Sequence, residues 1–175
     1  MALHEWRALN NIDRDCFGCG QHNPQGLRMT FATNGEQLRS QLVIPEHLRG
    51  WSHLVHGGVT TTMLDEMMGW AGIYFLNKFL LTRDIKVRFR LPVFVGETVT
   101  VVGYVSEHSS DKRAVLAAEL YKSKGQLAAK AEGDFALFEP QRFAELNLVP
   151  ADKLEQMQAM FRIHQHWHRE EEAGV

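Results

Sequence analysis

The chain has 175 residues, with 19 Lys and Arg against 21 Asp and Glu, so its formal charge is −2 with His neutral. With 45% hydrophobic and 23% charged residues it has a globular composition and one domain's length, which excludes a disordered chain. Balanced charge argues against a nucleic-acid partner, and two cysteines are too few for a disulfide scaffold, so a reducing cytoplasmic compartment is expected.

The opening Met1-Ala2-Leu3-His4-Glu5-Trp6-Arg7 lacks the basic-then-apolar layout of a signal peptide. Residues 1–26 read as an N-terminal extension, aperiodic and ending in the turn-rich stretch from Cys16 to Gly26. Alternation then sets in: Leu27, Met29 and Phe31 share one face, and after the Asn34-Gly35 turn so do Leu38, Ser40 and Leu42. Residues 45–55 read as a loop. From Gly57 to about Lys78 the period becomes helical, with Val59, Met63, Met67, Trp70 and Tyr74 recurring at three and four residues. The longest uncharged apolar stretch, Met67 to Asn77, is far short of the ~20 residues that span a bilayer, so no membrane partner is expected.

Period two then returns. Ile85, Val87, Phe89 and Leu91 point inward, and Lys86, Arg88 and Arg90 point outward. The turn at Val95-Gly96-Glu97 leads to Val99, Val101, Gly103 and Val105, then to Leu116, Ala118 and Leu120. Past a hairpin turn at Gly125-Gln126, the last strand places Leu127, Ala129, Ala131, Gly133, Phe135 and Leu137 on its inner face. Beyond Pro140, residues 151–168 carry Leu154, Met157, Phe161 and His164 on one stripe, the pattern of a C-terminal helix. The divisions are 1–26, a main domain over 27–138 and a helical extension over 139–175. Short turns force antiparallel neighbours, and one long apolar helix beside one sheet must be wrapped by it.

The sharpest motif is His56-Gly57-Gly58 followed by the helical run that holds Asp65 and Glu66. The first N–H groups of a helix are unpaired and carry the positive end of its dipole, so they can hold an oxyanion. Asp65 lies well inside the helix among apolar positions, where a carboxylate is costly unless paired or used. The other reading of these residues is a capping loop and a hydrogen-bonded core Asp.

This stretch resembles the hotdog-fold acyl-coenzyme A thioesterases, in the subgroup of the phenylacetate-pathway and thioesterase-superfamily-member enzymes. Also similar are Thr82-Arg83-Asp84-Ile85-Lys86-Val87-Arg88-Phe89-Arg90-Leu91-Pro92 with Gly96-Glu97, and Cys16-Phe17-Gly18-Cys19-Gly20 with Asn23-Pro24 and Gly26-Leu27. The likeness covers about residues 16–138. It implies an α+β hotdog fold, with an antiparallel sheet around one long central helix and an extra C-terminal helix. It further implies an acyl-coenzyme A hydrolase with no metal and no cofactor. By the same resemblance the Gly57 N–H binds the thioester oxygen, His56 supports the loop, Asp65 is base or nucleophile, and Thr82 places water. Some relatives carry an Asn six residues before the His, where this chain has Gly50, which leaves Ser52 or His53 as substitutes or the oxyanion with one donor fewer. Gly58, Ser52, His53 and Glu66 complete the expected substrate-binding set. The other functions open to the fold are non-catalytic acyl-coenzyme A binding and hydration or dehydration of an acyl-coenzyme A.

Helix geometry adds an expectation of its own. Gly57 and Asp65 are eight residues apart, about 12 Å along a helix at ~1.5 Å per residue, too far to touch one carbonyl. A site using both needs a second chain, hence a homo-oligomer, a dimer or dimer of dimers, with sites at the subunit interface. Gly58, Thr61, Thr62, Asp65, Gly69 and Gly72 form a rough small-residue face that leaves room for that approach.

Simpler readings attach to the remaining motifs. Glu66 points about 100° from Asp65, which suits a structural or exposed partner. Cys16, Cys19 and His22 begin a zinc set without completing it, so two thiols packed in a Gly-rich turn is the simpler reading. Lys86, Arg88 and Arg90 fit coenzyme A phosphates or a solvated sheet face. Of His164, His166 and His168 only the first and last share a helical face, and a plain surface helix end accounts for them.

Overall fold

The computed structural model of the chain describes residues 6–10 and 13–159. Three short strands, Arg7–Leu9 (β1), Phe31–Thr33 (β2) and Leu38–Val43 (β3), and a 3₁₀ turn at Glu46–Leu48 precede the helix Gly57–Leu76 (α1). Four long strands follow, Phe79–Phe89 (β4), Thr98–Ser110 (β5), Arg113–Lys122 (β6) and Leu127–Phe138 (β7), then a helix Pro140–Glu145 (α2). Residues 151–159 are helical again, while Phe161 and His164 to His168 lie outside the described residues.

The strands form one seven-stranded sheet in the order β1-β2-β3-β5-β6-β7-β4, every pairing antiparallel. β4 is an edge, whereas β3, the strand before α1, lies four places away, so α1 has to cross the sheet to connect them. It touches β3, β4, β5, β6 and β7 on the way. Met63, Leu64, Met67, Met68, Trp70, Ala71 and Tyr74 of α1 are buried against Leu116, Leu120, Phe135 and their neighbours on the concave face. This is the α+β hotdog arrangement, a sheet wrapped around one long helix, with the small helix α2 beyond the last strand. No helix among the described residues is long and apolar enough to cross a membrane.

Two glycines set how closely helix and sheet approach. A Cβ at Gly72 would meet Leu80 Cδ2 at 2.3 Å, and one at Gly103 would meet Met67 Cγ at 2.5 Å. Gly72 therefore closes α1 onto its own sheet, which corrects its place on the small-residue face expected to receive a second chain. At its end α1 stops on Asn77 in the left-handed region, φ 53°, whose N–H donates to the Ile73 carbonyl at 3.1 Å.

Other differences from the sequence reading are local. β1 and α2, with three and six residues, are too short to carry a period. Leu27 and Met29 are buried as expected but lie outside the ladder, which holds only Phe31 of that run. β4 starts at Phe79, before the alternation becomes visible at Ile85, and Phe89 is 58% exposed where an inward position was expected. α2 and the 151–159 segment seat Phe143 and Leu154 against Phe79, with the Phe79 and Phe143 rings stacked 4.6 Å apart.

Candidate active site

The amino end of α1 is shaped by its cap. His56, with φ −61° and ψ 135°, accepts the Gly58 N–H on its imidazole Nδ1 at 3.0 Å, and its carbonyl accepts from Val59 and Thr60. Among the described residues no protein group accepts the Gly57 N–H. That donor is exposed, in the first turn where the helix dipole is positive. It borders a cavity of about 320 Å³ formed with Thr60, Phe89, Leu91 and Pro92. A Cβ at Gly57 would stand 3.6 Å from the Phe89 ring, so the glycine side of the turn lies close beneath that ring.

Two turns along, the polar groups are side chains. Thr82 Oγ1 of β4 donates to Asp65 Oδ1 at 2.9 Å. Burial holds the Asp65 carboxyl above the ordinary carboxylate range, and the Thr82 hydroxyl partly offsets that by bonding the charged form. β4 carries a register shift between Thr82 and Asp84. That irregularity lets Leu80 and Thr82, as well as Ile85 and Val87 beyond it, face α1.

Glu66 turns the other way. Its Oε1 accepts the Trp70 indole N–H at 3.3 Å and a thiol from Cys16 at 3.6 Å. Burial first, and then the Cys16 charge, pushes its carboxyl up to about 7. The Cys16 thiol is pulled down to about 5, chiefly by the hydrogen bond from Cys19, which burial opposes. Cys19 is pushed up for the complementary reasons, its bond to Cys16 first and then burial.

Asp65, Thr82, Glu66, Cys16 and Cys19 all line one cavity of about 240 Å³, together with Phe143 and Met157. None of its lining residues borders the cavity at Gly57. The structure thus joins Asp65 to Thr82 and keeps both away from Gly57 within one chain. Ser52 and His53 are exposed in the loop before α1, Ser52 with φ 52°. Gly58, expected among the substrate-binding residues, donates its N–H to His56. Lys86 and Arg88 are exposed and border an outer-face cavity with Tyr104, Glu119 and Glu132, acidic neighbours included. The contacts of Glu66 with Cys16 and Trp70 were missed from the sequence. The 66/70 spacing is a helical i, i+4 signal for the second, and nothing local announces the first.

Residues 53–129, which hold Gly57, Asp65 and Thr82, match the family model of the thioesterase superfamily. The match spans less than half of the chain. Among solved structures, a thioesterase superfamily protein is 22% identical with a TM-score of 0.65, over 70% of this chain and 60% of that one. The present chain thus spans less than two thirds of that relative. The Escherichia coli PaaI protein of the phenylacetic acid degradation operon is 16% identical, TM-score 0.58, over 65% of this chain and 81% of its own. A hypothetical thioesterase from Streptococcus pneumoniae, solved with coenzyme A, is 14% identical, TM-score 0.55, over 59% and 79%. At these identities the likeness establishes the hotdog fold. A search of curated proteins finds no match.

Proposed function

We propose that this protein is a thioesterase-superfamily enzyme that hydrolyses an acyl-coenzyme A or similar thioester at sites shared between two chains. The observation that carries the reading is the half-buried Asp65, its carboxyl raised and held by Thr82, on the same helix as an unpaired, dipole-backed Gly57 N–H. The thioester oxygen sits on the Gly57 N–H, and Asp65 of a second chain faces the carbonyl carbon. As base, Asp65 takes a proton from water while the water oxygen bonds to that carbon; the C–S bond then breaks and the thiolate leaves to be protonated. As nucleophile, the Asp65 carboxylate bonds to that carbon, the C–S bond breaks and the thiolate leaves to be protonated, and water then opens the mixed anhydride to release the acid and free Asp65. Thr82 holds the carboxylate in register for either route, His56 caps the turn, and Ser52 and His53 border the approach to Gly57.

Three further features support this. β4 ends the sheet with a long edge that is unpaired among the described residues and carries exposed Leu81 and Phe89, a template for a second copy. The pneumococcal thioesterase was solved with coenzyme A, and also with an aspartate and a threonine each replaced by alanine. The cavity beside Asp65 is walled by Trp70, Ile73 and Phe79, suited to an apolar acyl group.

The test is a panel of aryl, short and long acyl-coenzyme A thioesters, with free thiol release followed for each. Turnover of at least one member is expected. Binding without thiol release would leave a non-catalytic acyl-coenzyme A binder, and altered acyl chains with the thioester intact would indicate hydration chemistry.

A further inference from the structure

We propose that Cys16, Cys19 and Glu66 form a zinc-type metal site that pins the amino-terminal turn to α1. One donor atom from each lies within 4.8 Å of the other two, and the Cys16 sulfur is 3.6 and 3.9 Å from the two Glu66 oxygens. A tetrahedral ion with metal–sulfur bonds of about 2.3 Å and a metal–oxygen bond of about 2.0 Å separates its donors by about 3.5–3.8 Å. The cluster needs to contract by about 1 Å at its widest pair, within the reach of side-chain rotation. Two thiolates and a carboxylate are the donors that a borderline-soft divalent ion selects.

The surrounding structure supports a built site. The turn is fixed by Gly20 N–H to the Cys16 carbonyl at 2.9 Å and by Gln21 Nε2 to the Cys19 carbonyl at 2.9 Å. It lies flush on the carboxylate, since a Cβ at Gly18 would fall 2.4 Å from Glu66 Cδ and Oε2. Trp70 donates to Glu66 Oε1, an outer partner that orients the ligand oxygen. Among the described residues no Lys, Arg or His ion-pairs with Glu66. A divalent cation supplies the charge that this buried carboxylate lacks. Three protein donors leave a fourth position, and the cavity of about 240 Å³ that all three line has room there for water. His22 is exposed and outside the cluster, so the third donor comes from α1. The sequence alone left this pair half a set because Glu66 is fifty residues away.

The test uses the full chain, purified under reductant, stripped with chelator and titrated with Co²⁺. We expect one equivalent to produce thiolate-to-cobalt charge-transfer absorption that Zn²⁺ abolishes. Cys16→Ser and Cys19→Ser should each strip intensity from that band and weaken binding at least ~10-fold, the least that loss of an outer partner costs. Glu66→Gln keeps both thiolates, so the band should persist while affinity falls by a similar factor. Folded protein with two titratable thiols and no charge-transfer band at one equivalent would overturn the site. So would a band undiminished in both serine variants, or binding without the band that is lost when His164, His166 and His168 are replaced. None of these readouts depends on hydrolysis, so the site and the proposed activity stand or fall separately.

Discussion

At the amino end of α1 the polar groups are backbone groups facing solvent, whereas eight residues on they are side chains, half-buried and hydrogen-bonded from β4. The first end needs no side chain for chemistry, only a turn whose cap leaves one N–H unspent. The second needs burial to raise a carboxyl and a hydroxyl to aim it. The two borders belong to different cavities, one of about 320 Å³ and one of about 240 Å³. Under the proposed reading, the Gly57 N–H and Asp65 of one rigid helix cannot reach one carbonyl, and two helices paired antiparallel about a two-fold axis would bring them together twice.

The largest effect should come from removing the basic half alone. Asp65→Asn keeps an oxygen to accept from Thr82 and is nearly isosteric, so folding should hold while kcat falls by ~100-fold or more. Thiol release by the folded variant is the measurement, and near-wild-type turnover would remove Asp65 from the reaction.

Separating the halves onto different chains tests whether they meet across subunits. Gly57→Pro deletes the donor with little disturbance, because proline is favoured at the first helical position and His56, at ψ 135°, already has the conformation a following proline requires. An added Cβ meets the Phe89 edge at 3.6 Å, an ordinary van der Waals contact. Each variant alone should be nearly inactive. In a statistical mixture half the dimers are mixed and each mixed dimer has one intact site, so activity should return to about a quarter of wild type. Verified heterodimers that recover nothing would mean that each chain builds its own site.

How far the sequence foretold this arrangement depends on the range of each signal. The helix, the paired long strands and the inward face of β7 follow from local periodicity, as does the placing of Gly57 and Asp65 on one helix with His56 just before it. The Thr82–Asp65 bond does not. Counting by twos back from Ile85 sends Thr82 to the outer face of β4, and only the register shift between Thr82 and Asp84 turns it to the helix. A bulge of one residue leaves no composition signal, so the resemblance named Thr82 while its direct contact with the carboxylate is visible only in the fold. Phe143 and Met157, which line the same cavity, arrive from a segment whose short elements carry no period.

A smaller effect is expected when the support of the base is removed and the base kept. The Thr82 hydroxyl bonds the charged carboxylate and so lowers its pKa; removing it raises a carboxyl that burial already holds high. Thr82→Val should lower kcat roughly tenfold, the worth of one hydrogen bond to a charged group, with little change in KM. Because the proposed active form is the carboxylate, the acidic limb of the rate profile should move to higher pH. Thr82→Ser should restore both. An unmoved limb with a raised KM would make Thr82 a substrate contact.

The smallest effect belongs to the cap at the other end. His56 satisfies the Gly58 N–H through its ring nitrogen, and an N-cap replaced by alanine costs about 1 kcal/mol of stability. In a chain of this length that lowers Tm by about 2–4 °C. His56→Ala should therefore show that loss together with a fall in kcat of less than ~10-fold, because the Gly57 donor stays in the first turn but is less firmly held. Asparagine caps a helix through its side-chain oxygen as well, so His56→Asn should recover both Tm and kcat. The pairing of the two recoveries is the informative result: it ties catalysis at this end to the backbone. A kcat loss above ~100-fold in both variants with Tm unchanged would place the imidazole itself on the substrate, and the amino end of α1 would then work by a side chain, as is proposed for its middle.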